Sequence, residues 1–248
     1  LDIASMCATS TKVFVLEVMG RHAGWIAAAG ALAGEGEGEP PHLVIFPEIP
    51  FDRAKAMARI DECVKQYGYC VIVVSEGARY ADGSFLADSG TVDAFGHRQL
   101  GGVAPALANM VREDLGHKYH WAVADYLQRA ARHLASRTDV EQAYAVGQQA
   151  VEMALAGQNA RMPAIIRVND NPYEWRIESA PLAEVANQEK FMPREYIRED
   201  GFGITDACRR YLSPLIQGED FPPFENGLPK VAKLKLARVE RKLPDFQV

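Results

Sequence analysis

The sequence predicts an α/β fold in which a parallel sheet carries helices on both faces. Residues 13–18, 42–46 and 70–74 are rich in β-branched and other apolar side chains, as strands covered on both sides require. Helical patterns lie between these strands, and the connections are short. Strands that alternate with helices in this way form a parallel sheet, because each helix carries the chain back to the edge where the next strand begins.

The turn between the first strand and the first helix suits a phosphate group. Met19, Gly20 and Arg21 open this turn, Gly24 ends it, and the alanine-rich residues 25–32 follow as a closely packed helix. Glycines permit a sharp turn, backbone N–H groups gather where a helix begins, and a guanidinium pairs well with phosphate oxygens. An ordinary strand-to-helix connection with a surface arginine explains the same residues equally well.

The second helix has recognisable ends, and polar side chains follow the strands around it. Asp52 can cap this helix and Gly68 can end it. Arg21, Glu48 and Glu76 each lie beyond the end of one strand. Since ligands of parallel sheets bind beyond the carboxyl ends of the strands, we expect Arg21 and Glu76 at one rim. The alternative for Glu76 is a solvated turn residue or a cap.

A second arginine follows a later strand. Residues 79–96 are rich in glycine and aspartate and are predicted to form a loop, and residues 100–115 a helix. Residues 119–124 are predicted to form a strand, which Tyr126 and Arg129 follow directly. A phenol and a guanidinium suit a sugar phosphate, which presents several acceptor oxygens. A tyrosine packed at the strand end beside a solvated arginine is the alternative.

The C-terminal half is predicted to contain helices and a hairpin. A helix over residues 138–157, capped by Thr138 or Asp139, carries a broad apolar stripe of the kind that a further layer covers. The other predicted elements are a hairpin of residues 164–168 and 173–177, helices from about residue 182 and over residues 204–216, and a strand near residues 230–236.

Composition argues against several classes of protein. The net charge of −6 argues against a nucleic-acid-binding surface, although arginines can still form a local pocket for an anion. These residues contain no secretory signal and no apolar run long enough to cross a membrane. The four cysteines lack metal-ligand spacing, so we predict no metal site in this chain and reduced thiols in a cytoplasmic protein.

Five short runs of residues, in order along the chain, resemble the phosphofructokinase family. The resemblance is greatest to its pyrophosphate-dependent branch, because Tyr126 stands where ATP-dependent members carry histidine. The runs are residues 18–25, 46–48, 75–77, 93–97 with 100–102, and 126–129.

The resemblance implies phosphoryl transfer from pyrophosphate to the 1-hydroxyl of fructose 6-phosphate, a step of glycolysis that gives fructose 1,6-bisphosphate. Arg21 would orient the sugar phosphate and act as a catalytic charge stabiliser, and Glu76 would hold sugar hydroxyls. Tyr126 and Arg129 would grip the 6-phosphate. The substrate-binding residues that the resemblance implies are Met19, Gly20, Arg21, Glu76, Tyr126, Leu127, Gln128 and Arg129.

Two features of the family pattern do not occur in the sequence. They are a glycine-rich donor loop and a Thr-Ile-Asp-x-Asp run, which supplies the catalytic base and positions Mg²⁺. The resemblance therefore implies a C-terminal portion of a longer enzyme, catalytically silent alone, with its Mg²⁺ site outside this chain. Residues 1–130 would form the sugar-phosphate domain, and residues 131–248 would complete the donor-side domain by packing back on the missing part.

Several alternatives stay open at the level of the sequence. An ATP-dependent 6-phosphofructokinase, a non-catalytic sugar-phosphate-binding module and an α/β domain for subunit assembly are all compatible with these residues. Because relatives complete their sites across subunits, the resemblance also implies a homodimer or homotetramer. Many relatives carry an arginine nine residues before the match to Arg129, where this chain has His120, with Lys118 nearby.

Overall fold

The computed structural model describes residues 2–36, 38–92, 98–100, 102–233, 235–238, 240 and 242, and helices alternate with strands from Asp2 to Ser75. The helices are α1 (Asp2–Thr9), α2 (Trp25–Gly30), α3 (Arg53–Tyr67), α4 (Val103–Leu115), α5 (Leu127–Ala130), α6 (Arg137–Leu155), α7 (Leu182–Val185) and α8 (Asp206–Leu212). The strands are β1 (Val13–Val18), β2 (Leu43–Ile45), β3 (Cys70–Ser75), β4 (Asp88–Val92), β5 (Arg98–Leu100), β6 (Tyr119–Val123), β7 (Arg161–Asp170), β8 (Tyr173–Pro181), β9 (Phe224–Glu225) and β10 (Leu228–Pro229).

A parallel sheet organises the first half of the chain. Its strand order is β2-β3-β1-β6, and each neighbouring pair is parallel. In register, Val13 of β1 lies between Cys70 of β3 and Tyr119 of β6. The predicted parallel sheet is confirmed, and β1 lies in its interior because its two edges both pair with other strands.

Helices cover both faces of the sheet, as predicted. On one face, Ile60 of α3 and Leu107 of α4 belong to the same buried cluster as Val15 of β1. On the other face, Ala28 of α2 and Cys208 of α8 pack in a second buried cluster with residues of β2 and β3. Neighbouring residues of one strand thus face opposite layers, which explains why the strands are apolar throughout.

The predicted ends of the second helix are confirmed, whereas the cap of the long C-terminal helix is not. Asp52 accepts a hydrogen bond from the backbone N–H of Lys55 at 3.0 Å, and Gly68 ends α3 with a φ of 84°. For α6, neither Thr138 nor Asp139 is the cap. The helix begins at Arg137, so the cap is Ser136, whose hydroxyl accepts from the Asp139 N–H at 3.1 Å.

The predicted loop over residues 79–96 is partly wrong. Residues 88–92 form β4, which pairs antiparallel with β5, so that α4 begins at Val103 and not at residue 100. The family run at residues 93–97 lies outside the described residues.

The C-terminal half contains the predicted hairpin. β7 and β8 pair antiparallel from Arg161 opposite Pro181 to Asp170 opposite Tyr173, so each strand is longer than predicted. The predicted helix near residue 182 is confirmed as α7. The helix predicted over residues 204–216 begins two residues later, since α8 and the 3₁₀ turn Ser213–Ile216 cover residues 206–216.

The strand predicted near residues 230–236 is wrong. The described residues of that range, 230–233, 235 and 236, form no strand. Short strands lie just before this range. They are β9 and β10, which are joined by a tight turn at Asn226 and Gly227, both with positive φ. Because Leu236 is 93% exposed, no layer covers the apolar side chain that suggested the strand.

The apolar stripe of α6 faces away from the rest of the described chain. Tyr144, Val151 and Leu155 are 75%, 60% and 83% exposed, whereas Met153 on the opposite side is buried. The proposed boundary between residues 1–130 and 131–248 stays a prediction, although α8 and the buried Met192 pack on the sheet. Among the described residues, no helix is both long enough and apolar enough to span a bilayer.

Candidate functional site

The turn after β1 rests on the residues that follow β3. The Gly20 N–H donates to Oε1 of Glu76 at 3.2 Å, and the Gly77 N–H donates to the Gly20 carbonyl at 3.0 Å. The hydroxyl of Ser75 donates to the same carbonyl. Because β1 and β3 are neighbouring parallel strands, their carboxyl ends bring the Arg21 turn and Glu76 together.

Gly77 allows this close approach. A Cβ atom at this position would lie 1.9 Å from the Arg21 carbonyl oxygen and 2.4 Å from that of Gly20. Carbon and oxygen cannot pack at such distances, so only a residue without a side chain fits. The Arg79 guanidinium also donates to the Arg21 carbonyl, at 3.3 Å. Hydrogen bonds to Gly20 and to the Arg21 carbonyl therefore fix the backbone that presents the Arg21 side chain.

The residues after β6 flank the other side of the same turn. Oε1 of Gln128 accepts from the Met19 N–H at 3.4 Å, and the side-chain amide of Gln128 donates to the Asp125 carbonyl at 3.1 Å. The Arg129 guanidinium stacks over the Tyr126 ring, 5.3 Å from its centroid. Both of these last side chains are exposed, and Leu127 is 71% exposed.

The structure thus brings the eight residues implied by the resemblance to one edge of the sheet. The three segments are joined by direct hydrogen bonds from the turn to Glu76 and to Gln128. A cavity of about 520 Å³ opens between α5 and α6, and two of the eight residues, Gln128 and Arg129, line it together with Tyr144. Their roles in binding stay predictions.

Glu17, a buried carboxylate behind the turn, is not among the residues that the resemblance implies. It is 2% exposed, and its oxygens accept from the N–H groups of Gly102 at 3.2 Å and Ala104 at 2.8 Å. Burial raises the pKa of Glu17, while these backbone donors lower it. Since Gly102 lacks a capping side chain, Glu17 caps α4 from the sheet. The signal in the sequence is an acid inside an otherwise apolar strand.

Lys118 and His120 lie near the amino end of β6. The Lys118 ammonium donates to the Ser10 hydroxyl at 3.2 Å, and Nδ1 of His120 lies 2.8 Å from the Thr11 hydroxyl. Arg129 follows the carboxyl end of the same strand. Within one chain, neither residue therefore stands beside Arg129, and whether either serves a neighbouring subunit's site stays open.

The described residues at this edge do not fit a Mg²⁺ ion. Nowhere in the part of the chain that the structure describes do three His, Cys, Asp or Glu side chains converge as a metal site requires. At the turn, the carboxylates of Glu17 and Glu76 accept from backbone N–H groups instead.

Comparison with protein families identifies the relationship. The family model described as phosphofructokinase matches residues 2–154, which include β1, β3, β6 and all eight residues at the edge. This chain belongs to the phosphofructokinase family. The predicted membership is confirmed, and it extends through most of α6.

Relatives and solved structures agree with this assignment. The chain is 81% identical over 248 residues to the pyrophosphate–fructose 6-phosphate 1-phosphotransferase of Halomonas elongata, covering 100% of this chain and 59% of that protein. It is 62% identical over 242 residues to the protein of the same name from Methylococcus capsulatus, covering 98% and 58%.

A crystal structure of pyrophosphate-dependent phosphofructokinase from Marinobacter aquaeolei superimposes with a TM-score of 0.86 at 64% identity, covering 100% of this chain and 59% of that one. The chain therefore spans about three fifths of the length of these relatives.

Proposed function

We propose that this chain supplies the sugar-phosphate site of an enzyme that transfers a phosphoryl group from pyrophosphate to fructose 6-phosphate. The observation that carries the proposal is the convergence of the Arg21 turn, Glu76 and the residues around Arg129 at one sheet edge. Arginines at the carboxyl ends of two parallel strands are suited to an anionic ligand.

Each residue has a role that follows from its chemistry. Arg129 and Tyr126 bind the 6-phosphate, because a guanidinium and a phenol both donate to phosphate oxygens. Glu76 holds sugar hydroxyls, since a carboxylate whose Oε1 accepts from Gly20 has a second oxygen available as an acceptor. Arg21 orients the sugar phosphate and offsets charge in the transfer. Positioning and charge stabilisation dominate phosphoryl transfer, so these roles account for this chain's share of catalysis.

The donor is proposed to be pyrophosphate. Two relatives, at 81% and 62% identity, carry pyrophosphate in their names, and Tyr126 agrees with the branch that the sequence resembles. An ATP donor is the alternative. Mg²⁺ neutralises donor phosphates in such transfers when bound, and we propose that its ligands lie outside the residues described here.

The setting of the enzyme is proposed as well. We infer a cytoplasmic homodimer or homotetramer. The four cysteines are free thiols, which fits a reducing compartment. Trp121 and Val123 on the edge strand β6 are 47% and 40% exposed, and a second copy would cover such side chains.

Replacement of Arg129 by lysine tests the proposal in the intact protein that carries this chain. Lysine keeps the charge but loses the two-pronged contact, so the apparent affinity for fructose 6-phosphate should fall about tenfold, or about 1.4 kcal/mol. A coupled assay for fructose 1,6-bisphosphate measures it. Arg112→Lys, at an exposed position of α4, is the control. An unchanged dependence on fructose 6-phosphate in Arg129→Lys would remove Arg129 from the site, and binding without turnover would favour a binding module.

A further inference from the structure

Glu48 joins two distant parts of the chain through a single oxygen. It follows β2, and its Oε1 accepts from the N–H of Gly24 at 3.0 Å and from the N–H of Met192 at 3.0 Å. Gly24 ends the turn that presents Arg21, and Met192 is a buried residue of the cluster that contains α2 and α8. Hydrogen bonds to a charged acceptor are stronger than those between neutral groups, so the two contacts hold both segments firmly.

The surroundings of Glu48 are tightly packed. A Cβ atom at Gly24 would lie 2.8 Å from the Phe46 ring and 3.0 Å from Oε2 of Glu48. This second oxygen is buried and has no hydrogen-bond partner among the described residues. Burying a carboxylate oxygen costs free energy, which the two bonds at Oε1 offset. A carboxylate in this position is explained by the backbone groups that it holds.

The residues before Met192 make further contacts with the end of the same turn. We call residues 189–192 the strap. The Trp25 indole N–H donates to the Lys190 carbonyl at 2.7 Å, and Nδ1 of His22 contacts the Glu189 carboxylate. The side chains of His22 and Glu189 are partly exposed, whereas Met192 is buried. Glu48 therefore anchors the buried end of the strap at Met192, and the contacts of Glu189 and Lys190 lie at its exposed end.

The turn is consequently held by carboxylates at both ends. Glu76 accepts from Gly20 at one end, and Glu48 accepts from Gly24 at the other. Arg21 lies between these two points. We propose that Glu48 is a positioning residue: it fixes the Arg21 turn for the sugar phosphate by tying the turn to the strap. The effect on ligand binding rests on the proposed function, whereas the anchoring itself does not.

Three variants of the intact protein that carries this chain separate the reach of residue 48 from its charge. Glu48→Gln keeps an acceptor oxygen at the same reach, Glu48→Asp keeps the charge but is one methylene shorter, and Glu48→Ala removes both. Glu199→Ala is the control: it removes an exposed acid a few residues after the strap. Hydrogen exchange is measured at the Gly24 and Met192 amides, with Ile72 of β3 as an internal reference. Affinity for fructose 6-phosphate is measured on the same samples.

We expect Glu48→Asp and Glu48→Ala to speed exchange at both amides about tenfold or more, and to weaken fructose 6-phosphate binding about tenfold, without changing Ile72. Glu48→Gln should be less impaired than Glu48→Asp in both measurements, because it keeps the reach and loses only the strength that the charge adds. Glu199→Ala should match the wild type. If Glu48→Ala fails to fold, the contrast between Gln and Asp decides. Unchanged exchange in Glu48→Asp, equal acceleration at Ile72, or a Gln variant as impaired as Asp would overturn the proposal. If the wild-type protein does not bind fructose 6-phosphate while the exchange pattern holds, the proposed function fails and the anchoring stands.

Discussion

Replacing Gly77 by alanine tests whether the Arg21 turn rests directly on the backbone after β3. The added Cβ would lie 1.9 Å from the Arg21 carbonyl oxygen, where at least 3.0 Å is needed, so the turn must retreat by about 1 Å. Such a shift lengthens the 3.2 Å bond from Gly20 to Glu76 beyond a useful distance. Overpacking costs about 1–3 kcal/mol and the loss of a hydrogen bond to a charged group about 1.5–3 kcal/mol. We therefore expect a loss of about 3 kcal/mol or more in the free energy of unfolding.

The assay is urea unfolding followed by circular dichroism, together with titration of fructose 6-phosphate. Gly147→Ala is the matched control, because nothing lies within 4 Å of the added Cβ on α6. In a helix interior the same substitution should stabilise the protein by about 0.5–1 kcal/mol. The two glycine substitutions should thus change stability in opposite directions, and only Gly77→Ala should weaken the binding of fructose 6-phosphate. A Gly77→Ala variant as stable as the wild type would refute the reasoning.

Three further predictions concern the catalytic charge, pH and the surface. Arg21→Ala should lower kcat by about two to three orders of magnitude in steady-state kinetics of the intact protein. A rise in KM alone would show that Arg21 only binds the substrate and does not stabilise the transition state. Burial lowers the pKa of His42 from its usual value of 6.5, so the unfolded state binds more protons. Stability should therefore fall as pH drops below 6.5, by at most about 1.4 kcal/mol per pH unit, and thermal melts of His42→Gln should lack this loss. The exposed apolar face of α6 predicts self-association of the isolated chain; in sedimentation, Val151→Glu should shift it toward monomer and Glu152→Gln should not.

The sheet and its rim could be predicted because they depend on local patterns. Strands covered on both faces are continuously apolar, and parallel strands necessarily end at the same edge. These two facts are enough to place Arg21 near Glu76, as the bond from Gly20 to Glu76 shows. The ends of α3 were equally predictable, since Asp52 and Gly68 act through neighbouring backbone groups.

The contacts of Glu48 and Glu17 could not be predicted in the same way. Glu48 accepts from Met192, 144 residues further along the chain, and Glu17 accepts from Ala104, 87 residues away. No local period encodes such pairs, because they depend on how the segments pack. The errors in the C-terminal half have a related cause: apolar residues near Leu236 resemble a strand, but pairing and cover decide whether one forms.

The carboxylates around the turn explain how an acidic chain can present a site for an anion. Glu76, Glu48 and Glu17 lie close to the Arg21 turn, and each accepts hydrogen bonds from backbone N–H groups. These bonds hold the ends of the turn and of α4, and Glu76 keeps a second oxygen for the proposed contact with sugar hydroxyls. The guanidinium of Arg129 instead stands on an exposed residue beside the Tyr126 ring. The net charge of −6 is consequently compatible with the proposed sugar-phosphate site, because these acids hold the backbone and the arginines are the residues proposed to meet the phosphate.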